Sequence, residues 1–235
     1  MILDIDGQYG EMDGRANRAA LTGLSGVNGY CSAEAAEAIR KEITSCAVRT
    51  GKPPFSGVHL FGSGNYHYIS KFFLETIGRP FSLLLFDRHP DMEAPAFPLL
   101  SCGSWVLDSL QELPLLQHVY MVGVKRELME ECIRDPAAEA FFGRVKLLSA
   151  GEQVSNGEPL YISIDKDVLS TDFAATDWDQ GNLTLAELIG YLEGMKDYDV
   201  LGADICGDSR RESAEERALN RETTEKILQT LSRKC

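Results

Sequence analysis

No stretch of this chain stays apolar over the ~18–20 residues that a membrane-spanning helix requires. Its opening, MILDIDGQYG, lacks the basic start and apolar core of a secretory leader, so a cytoplasmic location is the expectation. Positive charge is scarce: 23 Lys and Arg stand against 36 Asp and Glu, a net charge of −13. That balance argues against nucleic acid and against an anionic membrane surface, both of which select a basic face. Bound cations would neutralise part of the acidity. None of the six cysteines, Cys31, Cys46, Cys102, Cys132, Cys206 and Cys235, belongs to a CxxC pair, which argues against a zinc ribbon or a thioredoxin motif. A chain of 235 residues does not need disulfides for stability, and free thiols are expected. Repeats, low-complexity tracts and linkers are missing as well. The 44% apolar content fits one domain, 1–235, with a substantial core. The expected partner is a small-molecule substrate, and a homo-oligomer is permitted.

What the chain has instead is an alternation of apolar runs and capped helices. MILDID (1–6) reads as a short strand, followed by a loop containing Gly7, Gly10 and Gly14. Ser32 predicts the cap of a helix running to about Arg49, with Glu34 and Glu37 near its positive end. Strands are expected within 57–64, 81–87, 118–124, 144–150, 160–165 and 199–205. Helices are expected over 67–77 and over 126–142, the latter interrupted at Asp135-Pro136. Thr184 with Glu187 makes a capping box before a helix to Met195, and Ser213 with Glu216 caps a last helix to about Ser232. Continuous apolar strands separated by helices predict a three-layer α/β/α domain with a mainly parallel central sheet. Ligands of such sheets bind outside the carboxyl ends of the strands. Here those ends carry His67, Asp87-Arg88-His89-Pro90-Asp91, Asp165-Lys166-Asp167 and Asp204.

The most telling of these ends is LLLFDRHPDM, 83–92. Asp87, His89 and Asp91 are spaced i, i+2, i+4, which in an extended chain puts all three on one face. LYISIDKDV, 160–168, repeats the design with Asp165 and Asp167. Carboxylates and imidazoles gathered at buried strand ends repel and are costly to desolvate without a cation. The two segments read as the walls of a binuclear metal centre.

In order and spacing, these segments resemble the arginase/agmatinase/formiminoglutamase (ureohydrolase) family over 57–210. FGSGNYHYIS is similar to its GGDH segment, LLLFDRHPDM to its DAHxD segment, LYISIDKDVLSTDF to its S-[IV]-D-[ILM]-D segment with Ser163 included, and VLGADICGDS to its last-strand segment. The resemblance implies the arginase-like fold and two divalent ions. One would be held by His67, Asp87, Asp91 and Asp165, the other by His89, Asp87, Asp165 and Asp167, with Asp87 and Asp165 bridging. A carboxylate-rich set with one imidazole per metal suits Mn2+, with Zn2+, Fe2+ and Co2+ as competitors. The implied activity is hydrolysis of a linear C–N bond in an amidine, guanidine or amide by metal-bound hydroxide. The alternative is a metal-binding protein of this fold without turnover. The related deacetylases use one zinc and a His-His pair, and no such pair is found.

Departures from the pattern bear on substrate. The aspartate of GGDH is Tyr66 here, and the alanine of DAHxD is Arg88. The glutamate that binds guanidinium in the family is replaced by Gly207; Asp208 is adjacent but points elsewhere in an extended chain. A glycine-flanked histidine of the family is missing, and the nearest segment is Leu100-Ser101-Cys102-Gly103-Ser104-Trp105; His59 and His118 fall near strand starts or interiors. Arginine is therefore not expected as the substrate. Arg210 and Arg211 are expected to read an anionic group on it; the competing reading is a solvated face beside Glu212, Glu215 and Glu216. Cys102 is a candidate proton donor beside the metals, with Asp167 the other catalytic candidate; a small buried thiol is the alternative for Cys102. Trp105 and Trp178 are assigned to core packing ahead of a pocket wall, and Asp177 and Asp179 to solvent.

Overall fold

The computed structural model describes residues 1–9, 17–19, 21–94, 97, 99–149, 151–154 and 157–234. Gly10, Gly14, Cys235 and the end of the 144–150 run lie outside them. The strands are β1 (Ile2–Leu3), β2 (Arg18–Ala19), β3 (Tyr30–Cys31), β4 (Val58–Gly62), β5 (Phe81–Phe86), β6 (Leu100–Ser101), β7 (Leu116–Val122), β8 (Val145–Leu148), β9 (Leu160–Asp165) and β10 (Val200–Cys206). The α-helices are α1 (Ala33–Thr50), α2 (Ile69–Leu74), α3 (Trp105–Glu112), α4 (Arg126–Cys132), α5 (Pro136–Glu139), α6 (Leu185–Gly194) and α7 (Ala214–Leu231).

Eight strands form one parallel sheet in the order β2-β1-β4-β10-β9-β5-β7-β8, while β3 and β6 pair antiparallel apart from it. Alternation sorts the side chains of β5 to two faces. Phe81, Leu83 and Leu85 join the cluster under α1, α2, α3 and α4. Leu84 and Phe86 join the cluster under α6 and α7. Two apolar layers on one sheet require the three-layer architecture that the sequence predicts.

The caps explain where the helices start. Ser32 accepts from the Ala35 N–H at 3.2 Å. Thr184 with Glu187 and Ser213 with Glu216 form complete capping boxes. Asp135 caps α5 with Pro136 in its first turn, so the break in the 126–142 helix falls where proline puts it. The strands β2, β3 and β6 and the helix α3 were not anticipated. The three strands are two residues each, too short for a period to show. No helix among the described residues is long and apolar enough to cross a membrane.

The chain leaves the middle of the sheet after β4 and re-enters it three places away at β5; β9 and β10 later fill the two places between. The carboxyl ends of these four central strands therefore converge from distant parts of the sequence.

Candidate metal centre

The end of β5 does not continue as an extended strand. After Phe86 the chain turns, Asp91 takes φ 51°, and the Asp87 carboxylate accepts from the His89 N–H at 2.6 Å. The extended i, i+2, i+4 geometry expected for Asp87, His89 and Asp91 is thus corrected: a turn, not a pleat, gathers them. Asp91 is the only non-glycine residue at positive φ among the described residues, and such a conformation persists where surrounding contacts hold it. The end of β9 behaves alike. Lys166–Val168 form a 3-10 turn, and Asp165 caps it by accepting from the Asp167 N–H at 2.9 Å. Turning back the chain aims Asp165 and Asp167 into the same crevice.

His67 follows a 3-10 turn, Gly64–Tyr66, at the end of β4. Its Nδ1 lies 3.1 Å from Asp87 Oδ2, 3.1 Å from Asp91 Oδ2 and 3.7 Å from Asp165 Oδ2. Its Nε2 is 2.8 Å from Ser163 Oγ, and Ser163 donates to Asp204 Oδ1 at 2.6 Å. A serine hydroxyl has one proton. With that proton on Asp204, Ser163 accepts from Nε2–H, and the Nδ1 lone pair faces three carboxylates. Only a positive charge reconciles that geometry, either a proton or a metal ion. His89 makes the second corner: its Nδ1 is 2.8 Å from Asp167 Oδ2 and 3.5 Å from Asp87 Oδ1.

Two triads result, His67 with Asp87 and Asp91, and Asp87 with His89 and Asp167, sharing Asp87. Asp165 groups with His67 and with Cys206. Asp87, Asp91, Asp165, Asp167 and Asp204 are all buried, and each has its carboxyl pushed above the usual range, with burial as the largest cause. For Asp165 and Asp204 the rise reaches about 6. His67 is pushed well up: burial opposes this, but Cys206, Asp87 and Asp91 outweigh it. Five buried carboxylates against two imidazoles, in a nitrogen and oxygen donor set, fit divalent cations.

The surroundings hold these groups in place. Trp105 donates its indole N–H to Asp91 Oδ2 at 2.6 Å, and its ring stands 4.8 Å from that of His67. Sequence reasoning assigned Trp105 to packing and missed this contact; nothing in the local pattern marks it. Gly64 is there for proximity: a Cβ on it would meet Asp165 Oδ2 at 2.6 Å. Tyr66, in place of the family's aspartate, turns away and donates to Asp6 Oδ1 at 2.5 Å.

A cavity of about 440 Å³ opens above the donors. Cys102 lines it with Ser101 and Gly103, and its loop is tied down by the Cys102 N–H on Gly29 O at 3.0 Å. Burial pushes the Cys102 thiol up to about 12. Glu93, Glu131 and Asp135 also line the cavity. Trp178 forms part of the wall, 46% exposed and edge-on to His89 at 5.9 Å, which corrects its assignment to the core. Asp177 and Asp179 are exposed as expected, yet partnered: Asp177 accepts from Ser63 and Ser209, and Asp179 lies 3.5 Å from Arg88.

Arg210 and Arg211 are not brought to the cavity, which corrects their expected role. The Arg210 guanidinium reaches Asn28 at 2.7 Å and Asp6 at 3.4 Å, and its backbone N–H donates to Asp177 at 3.0 Å. Arg211 is exposed and outside the lining. Asp208, beside Gly207, also faces away, paired with the buried Lys166 and accepting from Tyr9 at 2.9 Å. His59 is stacked on Phe73 at 3.9 Å, and His118 is exposed beside Glu158.

The arginase family model matches residues 31–208. An uncharacterized protein of Thermotoga maritima is 36% identical over 157 residues, 66% of this chain and 60% of that protein. The chain thus spans 60% of that relative's length. Proclavaminate amidino hydrolase from Streptomyces clavuligerus is similar in structure at a TM-score of 0.67 and 18% identity, over 93% of this chain and 75% of that one. A triple mutant of the T. brucei arginase-like protein, bound with Mn2+, matches at 0.63 and 20%, over 90% and 69%. At those identities the likeness is one of fold. The family model, by contrast, runs from Cys31 in β3 to Asp208 just beyond β10 and so takes in every donor-bearing strand end: the chain belongs to the arginase family.

Proposed function

We propose that this chain is a binuclear divalent-metal hydrolase that cleaves a linear C–N bond in an amidine, guanidine or amide other than arginine. The observation that carries the reading is the pair of histidine-carboxylate triads sharing Asp87 on the floor of the cavity. His67, Asp87, Asp91 and Asp165 would hold one ion and His89, Asp87, Asp165 and Asp167 the other. Mn2+, present in the T. brucei structure, is the first candidate, followed by Zn2+, Fe2+ and Co2+. When bound, two such ions lower the pKa of a water and stabilise charge developing at a trigonal carbon.

The chain's own groups divide the rest of the work. Asp167, anchored by the Arg88 N–H at 3.0 Å and by His89, orients the attacking water and takes up its proton. Asp167, raised to about 7 chiefly by burial, then passes that proton to the departing nitrogen. The Cys102 thiol, pushed up to about 12, stays protonated on the cavity wall as a hydrogen-bond donor to that nitrogen. Trp178 covers the crevice and limits bulk water. It donates to Asn65, and Asn65 donates to Asn28, which also accepts from Arg210. Arg210 therefore supports the wall and does not contact substrate. Glu93, Glu131 and Asp135 give the cavity an acidic lining, which favours a cationic substrate over the anionic one expected from the sequence. Five free cysteines among the described residues fit a reducing cytoplasm.

The test is to load the protein with Mn2+ and screen linear amidines, guanidines and amides for ammonia, urea or amine release. Turnover lost in Asp167→Asn supports the reading. Stoichiometric metal with no turnover across all three classes would favour a metal-binding protein without catalysis, a reading to which Gly207, at the family's glutamate position, lends weight.

A further inference from the structure

We propose that Cys206 is a sulfur donor to the ion held by His67 and Asp165, so that this position selects a softer divalent ion than Mn2+. The inference rests on the binuclear reading above and extends it. Cys206 is absent from the donor set that the segment resemblance implies.

The argument starts from the strand. Cys206 is the last residue of β10, which lies between β4 and β9. It pairs with Asp165 on β9 and with Gly62 on β4, after a register shift between Ile205 and Cys206 on the β4 side. The side chain is fully buried, and it meets polar donors: Sγ is 3.3 Å from Asp165 Oδ2. Sγ, a His67 ring nitrogen and an Asp165 oxygen all lie within 4.8 Å of one another. With Asp87 and Asp91 the ion would have five donors, and donors about 2.0–2.3 Å from one five-coordinate ion stand roughly 3–4 Å apart. The observed 3.3 Å and the 3.7 Å between His67 Nδ1 and Asp165 Oδ2 are of that size.

Gly207 makes the arrangement possible. Its φ is +99°, and a Cβ there would lie 2.3 Å from Asp165 Oδ1. A side chain at this position would push Asp165 away from Cys206. Without metal, the Cys206 S–H donates to Asp165. When the ion binds, the S–H bond breaks, the proton leaves to solvent, and the sulfur lone pair goes to the ion. Thiolate donors favour Zn2+, Co2+ and Fe2+ over Mn2+.

The test uses the full chain, stripped with chelator and titrated with Co2+. The expected result is two cobalt ions per chain with sulfur-to-cobalt charge-transfer absorption in the near ultraviolet. Cys206→Ser and Cys206→Ala should lose that band. A Cys102→Ser, Cys132→Ser double variant, which removes the two cavity-lining thiols, should keep it. In competition, the preference for Zn2+ over Mn2+ should fall roughly tenfold or more in Cys206→Ser, no less than the loss seen for groups that merely orient ligands. Two bound cobalt ions without the band, or a band lost in the double variant, would overturn the proposal and leave the binuclear reading standing. No cobalt bound at all would overturn both. If the Cys206 variants fail to fold, the spectra of the parent and the double variant decide the matter.

Discussion

Replacing Gly207 by alanine adds one methyl group, and the structure sets what that methyl meets. Its Cβ would stand 2.3 Å from Asp165 Oδ1 and 2.5 Å from the Lys166 backbone nitrogen. Neither atom is a flexible side-chain tip: Asp165 is buried and caps the turn on which Lys166 lies. The residue also needs φ +99°, which costs an L residue about 1–3 kcal/mol. Overpacking adds about 1–3 kcal/mol. The sum, roughly 2–6 kcal/mol, is a large part of an ordinary stability of about 5–15 kcal/mol. Urea unfolding of metal-free protein should show a lower midpoint at unchanged slope. Titration calorimetry should show weaker metal binding, since Asp165 has to move. Glutamate at the same position carries the same Cβ, so Gly207→Glu should restore no urea release from arginine. A Gly207→Ala protein within about 0.5 kcal/mol of its parent and with unchanged metal affinity would refute the reasoning, as would arginase activity in Gly207→Glu.

Asp87→Ala and Asp165→Ala should each lose most of both ions by elemental analysis; full occupancy in either denies it a bridging role. Trp105→Phe removes the N–H on Asp91 Oδ2 and should cost about 1.5–3 kcal/mol in urea unfolding; a change near zero removes the indole from the account. Asp208→Asn leaves the fully buried Lys166 ammonium without its carboxylate and should cost roughly 3–5 kcal/mol, again read by urea unfolding with a near-zero change as the negative result. For pH, Asp165 and Asp204 are raised to about 6, chiefly by burial, from about 3.9 in an unfolded chain. Between these values the metal-free native state holds protons that the unfolded state has released, so these groups lower stability as pH rises. His89 is raised to about 11: burial opposes this, but Asp167 and Asp87 outweigh it. Its contribution is complete below about 6.5 and is lost toward 11. Metal displaces the protons of its ligands, Asp165 and His89 among them. The gain in Tm on adding metal should therefore grow from pH 4 upward, and a gain that is flat with pH contradicts the assignment.

The fold was legible because its strong signals are local. Apolar runs at β5, β7, β9 and β10 and caps at Ser32, Thr184 and Ser213 each act within a few residues. The candidate donors that follow β5 and close β9 were legible for a related reason: polar residues at the end of a buried strand have few structural excuses. Other features escaped because they depend on distance in three dimensions. Trp105 and Asp91 are fourteen residues apart and meet only because α3 packs back over the turn after β5. The misplacement of Arg210 has the same origin. Its nearness in sequence to Gly207 suggested the cavity, but its guanidinium meets Asn28, 182 residues away, instead.

Gly207 shows how a loss in the sequence can be a gain in space. Read along the chain, it is an acidic position emptied. In the structure it is the point where β10 ends, where a side chain would displace Asp165 and separate it from Cys206. The two readings concern one event. A glutamate reaching into the cavity and a Cys206–Asp165 contact at 3.3 Å cannot share this strand end, because the Cβ that the first requires occupies the space that the second uses. Guanidinium recognition and a sulfur donor are thus alternatives at a single residue, and a single substitution at Gly207 should weaken the sulfur-bearing site without creating guanidinium recognition, because Asp165 and the Lys166 backbone would have to move first.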